Sequence, residues 1–238
     1  MECCMKHHAI AKWQRNAHNM RLAGLKQRHL IIESDFKHKC EAGATLTCGA
    51  APLVMPMVSL AHHNPDEVGR HKTEAWIFVS DDESHDFDFH LRALGEVVQY
   101  YTKGEGNAAI APGEEWEGRV QVPRVYSWTD GCAKQYKGKG DFRMVSDSLS
   151  VLDVIVDHNF AATSHFKGTH DGIGGVAKHK MRRAEWNTDI PIRSHDARAA
   201  YDFLKEHMGQ RTVEDSEAFY ATWPVQGRQT HGVWVRYG

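Results

Sequence analysis

The apolar run His29-Leu-Ile-Ile-Glu-Ser-Asp35 is the first strand-like segment of the chain, and it ends in polar residues. A short β-branched run that stops at polar residues predicts a buried β-strand. The segment before it, residues 5–28, is rich in basic residues, Ala and Leu and contains no Pro, which predicts an exposed basic helix. Similar apolar runs predict four further strands, at residues 52–60, 75–79, 120–128 and 151–163. Pro56 favours a sheet-edge position for the second of these strands.

Helices are predicted between and after these strands. Leu91, Leu94, Val97 and Val98 recur at helical spacing, which indicates a helix over residues 89–101. Two basic helices are predicted at residues 133–148 and 176–186, the second opened by a Gly-rich turn at residues 167–175. The chain is expected to finish with a helix at residues 196–208 and a hairpin at residues 225–237.

The resulting order is β-β-β-α-β-α-β-α, followed by a helical C-terminal extension. Three consecutive strands and then alternating helices and strands predict an α/β protein whose mixed sheet carries helices on its faces. This order resembles that of the RNase H-like fold. We therefore expect a basic N-terminal helical segment at residues 1–28, an RNase H-like core at residues 29–190 and an extension at residues 191–238.

The bulk composition limits the kinds of partner. The 238 residues are 41% hydrophobic and 25% charged, with a formal net charge of -2, so any contact with DNA must come from local clusters of positive charge. No apolar run approaches the roughly 20 residues that span a bilayer, and the start lacks an apolar leader. We expect an intracellular protein without a membrane contact, whose five cysteines are free thiols.

Three acids fall at strand and helix ends, where an RNase H-like sheet would bring them together. Asp35 ends the first predicted strand, Asp130 follows the fourth, and Asp171 opens the helix after the fifth. Clustered carboxylates repel one another unless a hard cation lies between them, and Mg²⁺ prefers oxygen ligands. Two such ions stabilise the attacking and leaving oxygens of a displacement at phosphorus. The pattern predicts a Mg²⁺ or Mn²⁺ two-ion site.

Structural roles remain open for the same residues. Acids after strands are common turn and helix-cap residues, and both Asp130-Gly131 and Asp171-Gly172 are turn signals. The segment Ser80-Asp81-Asp82, with His85 and Asp86, is best explained by capping. His165 and His170 flank Lys167, and a zinc site there would need two more ligands, such as Cys132 or His158. Orienting Asp171 or contacting a phosphate is the favoured role, whereas structural packing is favoured for His165. Close packing of the helix start against the sheet is the favoured explanation for Gly172, Gly174 and Gly175, because no nucleotide-binding pattern accompanies them.

Basic residues follow two of the three acids. Solvated helix faces explain most such runs, but these would flank the active-site edge of the sheet, so we favour non-specific phosphate contact. The first run follows Asp130, and the second follows Asp171. The predicted nucleic-acid-binding residues are Lys134, Lys137, Lys167, His170, Lys178, Arg182 and Arg183, with Lys139, Arg143 and Lys180 in the same runs.

Four segments, in order along the chain, resemble one family of eukaryotic transposable-element proteins. They are Asp35-Phe36 after an apolar strand, Ser80-Asp-Asp-Glu-Ser-His-Asp86, Thr129-Asp-Gly-Cys-Ala-Lys-Gln-Tyr-Lys137 and Phe160-Ala-Ala-Thr-Ser-His-Phe-Lys-Gly-Thr-His-Asp-Gly-Ile-Gly-Gly175. The last segment is the longest and most specific. The resemblance runs from about Trp13 to about Trp186 and implies a DDD/E-type transposase core with an RNase H-like fold.

The resemblance implies that Asp35, Asp130 and Asp171 bind the catalytic ions, and that the protein cuts and rejoins DNA in the nucleus as a homo-oligomer, without a nucleotide cofactor. Two departures stand out. Relatives carry Ser/Ala-Glu-Asn near the first acid where this chain has Lys37-His-Lys39, and Thr129 replaces the usual Ser. The first departure, together with the short segment ahead of Asp35, indicates a fragment or a degenerate copy without a DNA-binding domain. The alternative to an enzyme is therefore a catalytically inactive, transposon-derived remnant that binds DNA or protein.

Overall fold

The structure is a computed structural model that describes residues 2–36, 57–63, 70–80, 87–102, 124–131, 138–162, 166–185, 196–208 and 232–237. The chain forms two compact units, each assembled from three separate stretches. The first unit comprises Met1–Ser34, Ala61–Lys72 and Asp86–Lys167. The second comprises Asp35–Leu60, Thr73–His85 and Gly168–Gly238.

Helices and strands follow the predicted order in the described residues. The helices are α1 (Glu2–Ala23), α2 (Phe87–Thr102), α3 (Lys139–Leu152), α4 (Thr169–Glu185) and α5 (Ala197–Met208). The strands are β1 (His29–Phe36), β2 (Met57–His63), β3 (Lys72–Val79), β4 (Arg124–Thr129), β5 (Ile155–Phe160) and β6 (Gly232–Tyr237). None of the described helices has both the length and the apolar composition to cross a bilayer.

The protein is mixed α/β, with a six-stranded mixed sheet in the order β5-β4-β1-β2-β3-β6. β1 pairs with β4 in parallel, from His29↔Arg124 to Ser34↔Thr129. β4 also pairs with β5 in parallel. The expectation of an edge position for β2 is wrong, because β2 lies between β1 and β3 in the sheet. Pro56, on which that expectation rested, lies outside the described residues.

The first unit packs around the apolar side chains of β1 and β4. Ile31, Tyr126 and Trp128 are buried together with Leu25, which follows α1. α1 adds Ala17 and Leu22 to this cluster, and the Arg21 guanidinium lies 4.2 Å from the Tyr126 ring centroid. α2 contacts α3, and α3 contacts β5. The predicted exposed basic helix is thus confirmed as α1, although it ends at Ala23 rather than at residue 28.

The second unit buries one apolar face of each of its two helices. Ile173, Ala177 and Met181 recur along α4 at helical spacing, and the buried residues of α5 include Ala200 and Leu204. They pack with side chains from the three strand segments of this unit, namely Val58, Leu60, Ala75, Ile77, Val79, Val233 and Val235. β3 and β6 pair in parallel, and Trp76 stacks on Trp234 with ring centroids 5.7 Å apart.

Two predicted boundaries are wrong for local reasons. The fifth strand does not begin at Val151, because α3 continues through Leu152 and Asp153 then adopts a φ of 57°, the left-handed conformation that ends helices. β5 therefore starts at Ile155. The Gly-rich stretch predicted as a turn belongs mostly to α4, which starts at Thr169 rather than at residue 176.

The chain end was predicted as a hairpin over residues 225–237. Its described part, Gly232–Tyr237, is the single strand β6, which pairs with β3 in parallel. Residues 225–231 lie outside the described residues, as do residues 120–123 of the predicted fourth strand and 133–137 of the predicted helix.

Candidate metal centre

Asp35 stands near the end of the most deeply buried stretch of β1. Leu30, Ile31 and Ile32 ahead of it are almost wholly inaccessible, so the strand is held by apolar burial on both faces. The Asp35 side chain itself keeps 21% of its surface exposed. The strand therefore holds this partly exposed carboxylate between the buried residues Ser34 and Phe36.

Asp171 lies in the first turn of α4 and closes that helix end. Its backbone N–H donates to the Gly168 carbonyl at 3.1 Å, and the Gly168 backbone N–H donates to Asp171 Oδ2 at 3.1 Å. This reciprocal pair satisfies a backbone donor that would otherwise have no partner within the helix. The capping role considered for Asp171 is thus confirmed, and the hydrogen bond from Gly168 also fixes the direction of the carboxylate.

His170 joins the two acids. Its side chain is completely buried, whereas that of Asp171 is 45% exposed. His170 Nε2 lies 3.5 Å from Asp171 Oδ2 and 3.9 Å from Asp35 Oδ2. One ligand atom from each of the three residues lies within 4.8 Å of the other two. Two carboxylates and an imidazole at this separation form a donor set that fits a divalent cation, and the cation would remove the repulsion between the acids.

Asp130 is not a member of this three-residue cluster. It follows the last residue of β4 and belongs to the first unit, where its Oδ1 accepts a hydrogen bond from the Gly131 backbone N–H at 2.8 Å. That bond is typical of a turn and orients the carboxylate. The structure therefore brings together two of the three predicted acids, Asp35 and Asp171, and adds a histidine that the sequence had assigned to phosphate contact.

His158, considered as a zinc ligand, makes a different contact. Its Nε2 lies 3.0 Å from Thr129 Oγ1, and its ring stacks on Phe160 with centroids 4.7 Å apart. Burial lowers the pKa of His158 to about 4. Burial, with a smaller contribution from the neighbouring His158, lowers the pKa of His90 to about 3. The other residues of the zinc hypothesis, Cys132 and His165, lie outside the described residues.

Of the predicted nucleic-acid-binding residues, Lys167, Arg182 and Arg183 are exposed. Lys178 is half-buried on α4, and Lys134 and Lys137 lie outside the described residues. The expected packing role of the glycines is wrong at two positions, because a Cβ added to Gly172 or Gly175 would meet no atom within 4 Å beyond the adjoining backbone of its own helix. These two glycines leave part of the exposed face of α4 without side chains.

A second polar cluster lies in the first unit and was not predicted from the sequence. Glu33 is buried within β1, and its Oε1 lies 2.9 Å from His62 Nε2 and 3.0 Å from His18 Nε2. The His62 ring makes an edge contact with His71, with centroids 5.0 Å apart. The signal in the sequence was an acid inside an apolar strand, since buried acids are rare unless they are paired.

Comparison with known families places the chain in one of them. The model of the family described as "Domain of unknown function (DUF8701)" matches residues 54–221, so the protein belongs to that family. The matched range contains Asp130, His170 and Asp171 but not Asp35. No curated protein matches the chain.

Proposed function

We propose that this protein is the catalytic core of a transposase, an RNase H-like enzyme that cleaves and rejoins DNA strands by metal-dependent phosphoryl transfer. The observation that carries the proposal is the convergence of Asp35, His170 and Asp171, whose ligand atoms lie within 4.8 Å of one another. These are two of the acids and one further residue from the segments that resemble transposon-encoded proteins.

The order of the strands supports an RNase H-like fold. Three strands that follow one another in the chain are neighbours in the sheet as β1-β2-β3, and β4 and β5 extend the sheet on the other side of β1. Parallel strands joined by helices, as β4 and β5 are by α3, are typical of α/β folds whose sites lie at the carboxyl ends of strands. β6 is an addition next to β3.

The position of Asp130, directly after the end of β4, supports a role for this acid as well. The last pair of the parallel ladder between β1 and β4 is Ser34 and Thr129. Asp35 follows Ser34 within β1, and Asp130 follows the end of β4. We propose that Asp130 contributes an oxygen ligand to a second ion, since two ions about 3.5–4 Å apart are the usual arrangement for this chemistry. The Gly131 backbone N–H would hold that carboxylate in place.

Each acid has a separate role in the proposed reaction. When bound, the ions would activate water, or a 3′-OH, for attack at phosphorus and stabilise the charge on the leaving oxygen. Asp35 and Asp171 would hold one of them, and the cap at Gly168 would keep Asp171 oriented. No side-chain nucleophile is required.

DNA would lie along the exposed face of α4. Asp171, Gly175, Lys178 and Arg182 share one face of the helix by their spacing of four, seven and eleven residues. The bare position at Gly175 would admit a sugar-phosphate backbone, and the basic residues beyond it would contact phosphates in a salt-sensitive way. Action in the nucleus, on paired transposon ends and as a homo-oligomer, belongs to the same proposal.

The test is thermal melting with and without Mn²⁺, followed by cleavage of supercoiled plasmid. The native chain should be stabilised by Mn²⁺ and should nick DNA only when the metal is present. Asp35→Asn and Asp171→Asn should lose the stabilisation, and Asp130→Asn should lose cleavage. Asp147→Asn, which changes a half-exposed acid of α3, is the matched control and should behave as native. Metal-dependent cleavage that survives Asp130→Asn in a clean preparation would refute the assignment.

The second candidate is a non-catalytic remnant that retains the fold for DNA or protein binding. Lys37-His38-Lys39, close after the first acid where relatives carry Ser/Ala-Glu-Asn, is the observation that favours it. A remnant should bind DNA with a steep salt dependence, yet show no response to Mn²⁺ in the melting experiment.

A further inference from the structure

We propose that His170 is a direct nitrogen ligand of the metal centre and that it makes the site select a transition-metal ion over Mg²⁺. The inference rests on the proposed function, because it concerns the same site. It goes further by naming the class of metal that the site takes and the residue responsible for that choice.

The position of His170 suits a ligand. Ligand atoms bound about 2.0–2.2 Å from one ion lie about 3 Å apart when adjacent and about 4.0–4.4 Å apart when opposite. The 3.5 Å and 3.9 Å separations of His170 Nε2 from the two carboxylate oxygens fall between these limits. A single ion can therefore reach all three groups with small side-chain adjustments.

The fold holds the imidazole in this position. His170 precedes Ile173, Ala177 and Met181 by three, seven and eleven residues, so it belongs to the buried face of α4. Its side chain has no exposed surface. Swinging the ring into solvent would require the helix to separate from its core, so the nitrogen donor is a permanent part of the site.

Ligand chemistry then decides the metal. Mg²⁺ is a hard cation that demands near-ideal octahedral oxygen coordination and usually keeps several waters, so an imposed imidazole nitrogen costs it binding free energy. Imidazole suits borderline ions, and affinity for mixed nitrogen and oxygen sites rises from Mn²⁺ towards Zn²⁺ and Cu²⁺. Mn²⁺ is the weakest binder of that series, so a preference for Mn²⁺ over Mg²⁺ is the smallest effect that we expect of the imidazole ligand.

The alternative for His170 is that of a core histidine whose ring only supports the two acids through hydrogen bonds. Such a residue would influence metal affinity through the carboxylates without any bond to the ion. The two roles differ in a spectroscopic property, since only a coordinated imidazole couples its nitrogen nucleus strongly to the electron spin of Mn²⁺.

The experiment uses the full chain with Mn²⁺ and Mg²⁺ as separate probes. Calorimetric titration should give a Kd for Mn²⁺ at least about tenfold lower than that for Mg²⁺. Electron spin-echo modulation of bound Mn²⁺ should show a directly coordinated ¹⁴N. In His170→Gln, which places an amide oxygen near the Nε2 position, the ¹⁴N signal should vanish and the two Kd values should converge. His179→Gln on the exposed face of α4 is the matched control and should change neither quantity.

The outcomes separate the inference from the proposed function. Metal binding without preference, or a ¹⁴N signal absent from the native chain or persisting in His170→Gln, would overturn the inference while leaving a metal-dependent enzyme. Absence of any binding of Mn²⁺ or Mg²⁺ to the natively folded chain would overturn both. Should His170→Gln fail to fold, the native ¹⁴N signal and the Mn²⁺ to Mg²⁺ ratio decide the matter alone.

Discussion

Acid should destabilise this protein through the buried His90 and the largely buried His158, and the size of the effect follows from their surroundings. His90 of α2 is completely buried and stacks with His158 of β5 at a centroid distance of 5.9 Å. Burial lowers the pKa of His90 to about 3 and that of His158 to about 4, from the ordinary 6.5. The folded state therefore keeps both rings neutral over a pH range in which the unfolded chain protonates them.

The stabilisation is present above pH 6.5 and is lost as the pH falls towards the folded pKa values. In that window each histidine costs about 1.4 kcal/mol of unfolding free energy per pH unit, because only the unfolded state takes up the proton. Between pH 6.5 and pH 4.5 the loss is about 2–3 kcal/mol for each ring and about 5 kcal/mol for both. A loss of that size is comparable with the whole stability of many domains.

Urea unfolding followed by circular dichroism, at several pH values from 7 to 4.5, measures this loss. In His90→Gln the loss over the range should shrink by about 2–3 kcal/mol, since one of the two proton-binding groups is gone. His207→Gln changes an exposed histidine of α5 and should leave the pH dependence as it is in the native chain. An identical pH dependence in the native chain and in His90→Gln would refute the reasoning. His158→Gln provides the same test if the first variant does not fold.

Three further substitutions test the packing. Glu33→Ala should lower the unfolding free energy by about 3–5 kcal/mol, because it removes the carboxylate shared by the buried His62 and the partly buried His18, and urea unfolding measures this loss. Asp153→Gly should raise the unfolding free energy by up to about 1 kcal/mol, since glycine adopts the positive φ of this position without strain. Gly172→Ala should raise the unfolding free energy by about 0.5–1 kcal/mol, because the added methyl group clashes with no neighbouring side chain.

Each of these predictions has a contrasting variant. Asp157→Ala removes a half-exposed partner of Arg124 and should cost no more than about 1 kcal/mol, so a similar small loss in Glu33→Ala would contradict the first prediction. Asp153→Val should destabilise, and an increase there would argue against the strain at this position. Gly140→Ala brings a methyl group to 3.2 Å from Phe87 Cδ1 and should gain less than Gly172→Ala.

Local sequence patterns predicted most of the elements. Buried runs such as Leu30-Ile-Ile32 are strands because β-branched and apolar residues are stable only where both faces are covered. The order of strands and helices follows from these runs and from the helical spacing of apolar residues between them. The same logic singled out Asp35 and Asp171, which lie at element ends and come together in the structure.

Only the tertiary structure decided the rest, because it depends on contacts between residues far apart in the chain. The left-handed Asp153 that ends α3 and the parallel pairing of β6 with β3 leave no clear local pattern. His170 sits in a basic, Gly-rich segment that suggested phosphate contact, but the packing of α4 buries its ring against two acids. The pairing of Glu33 with His18 and His62 likewise joins three separate elements. Residue types and spacing thus determined where metal-ligating and hydrogen-bonding side chains occur along the chain. Packing determined which of these side chains meet, because burial fixes the direction of a side chain that the sequence alone does not fix.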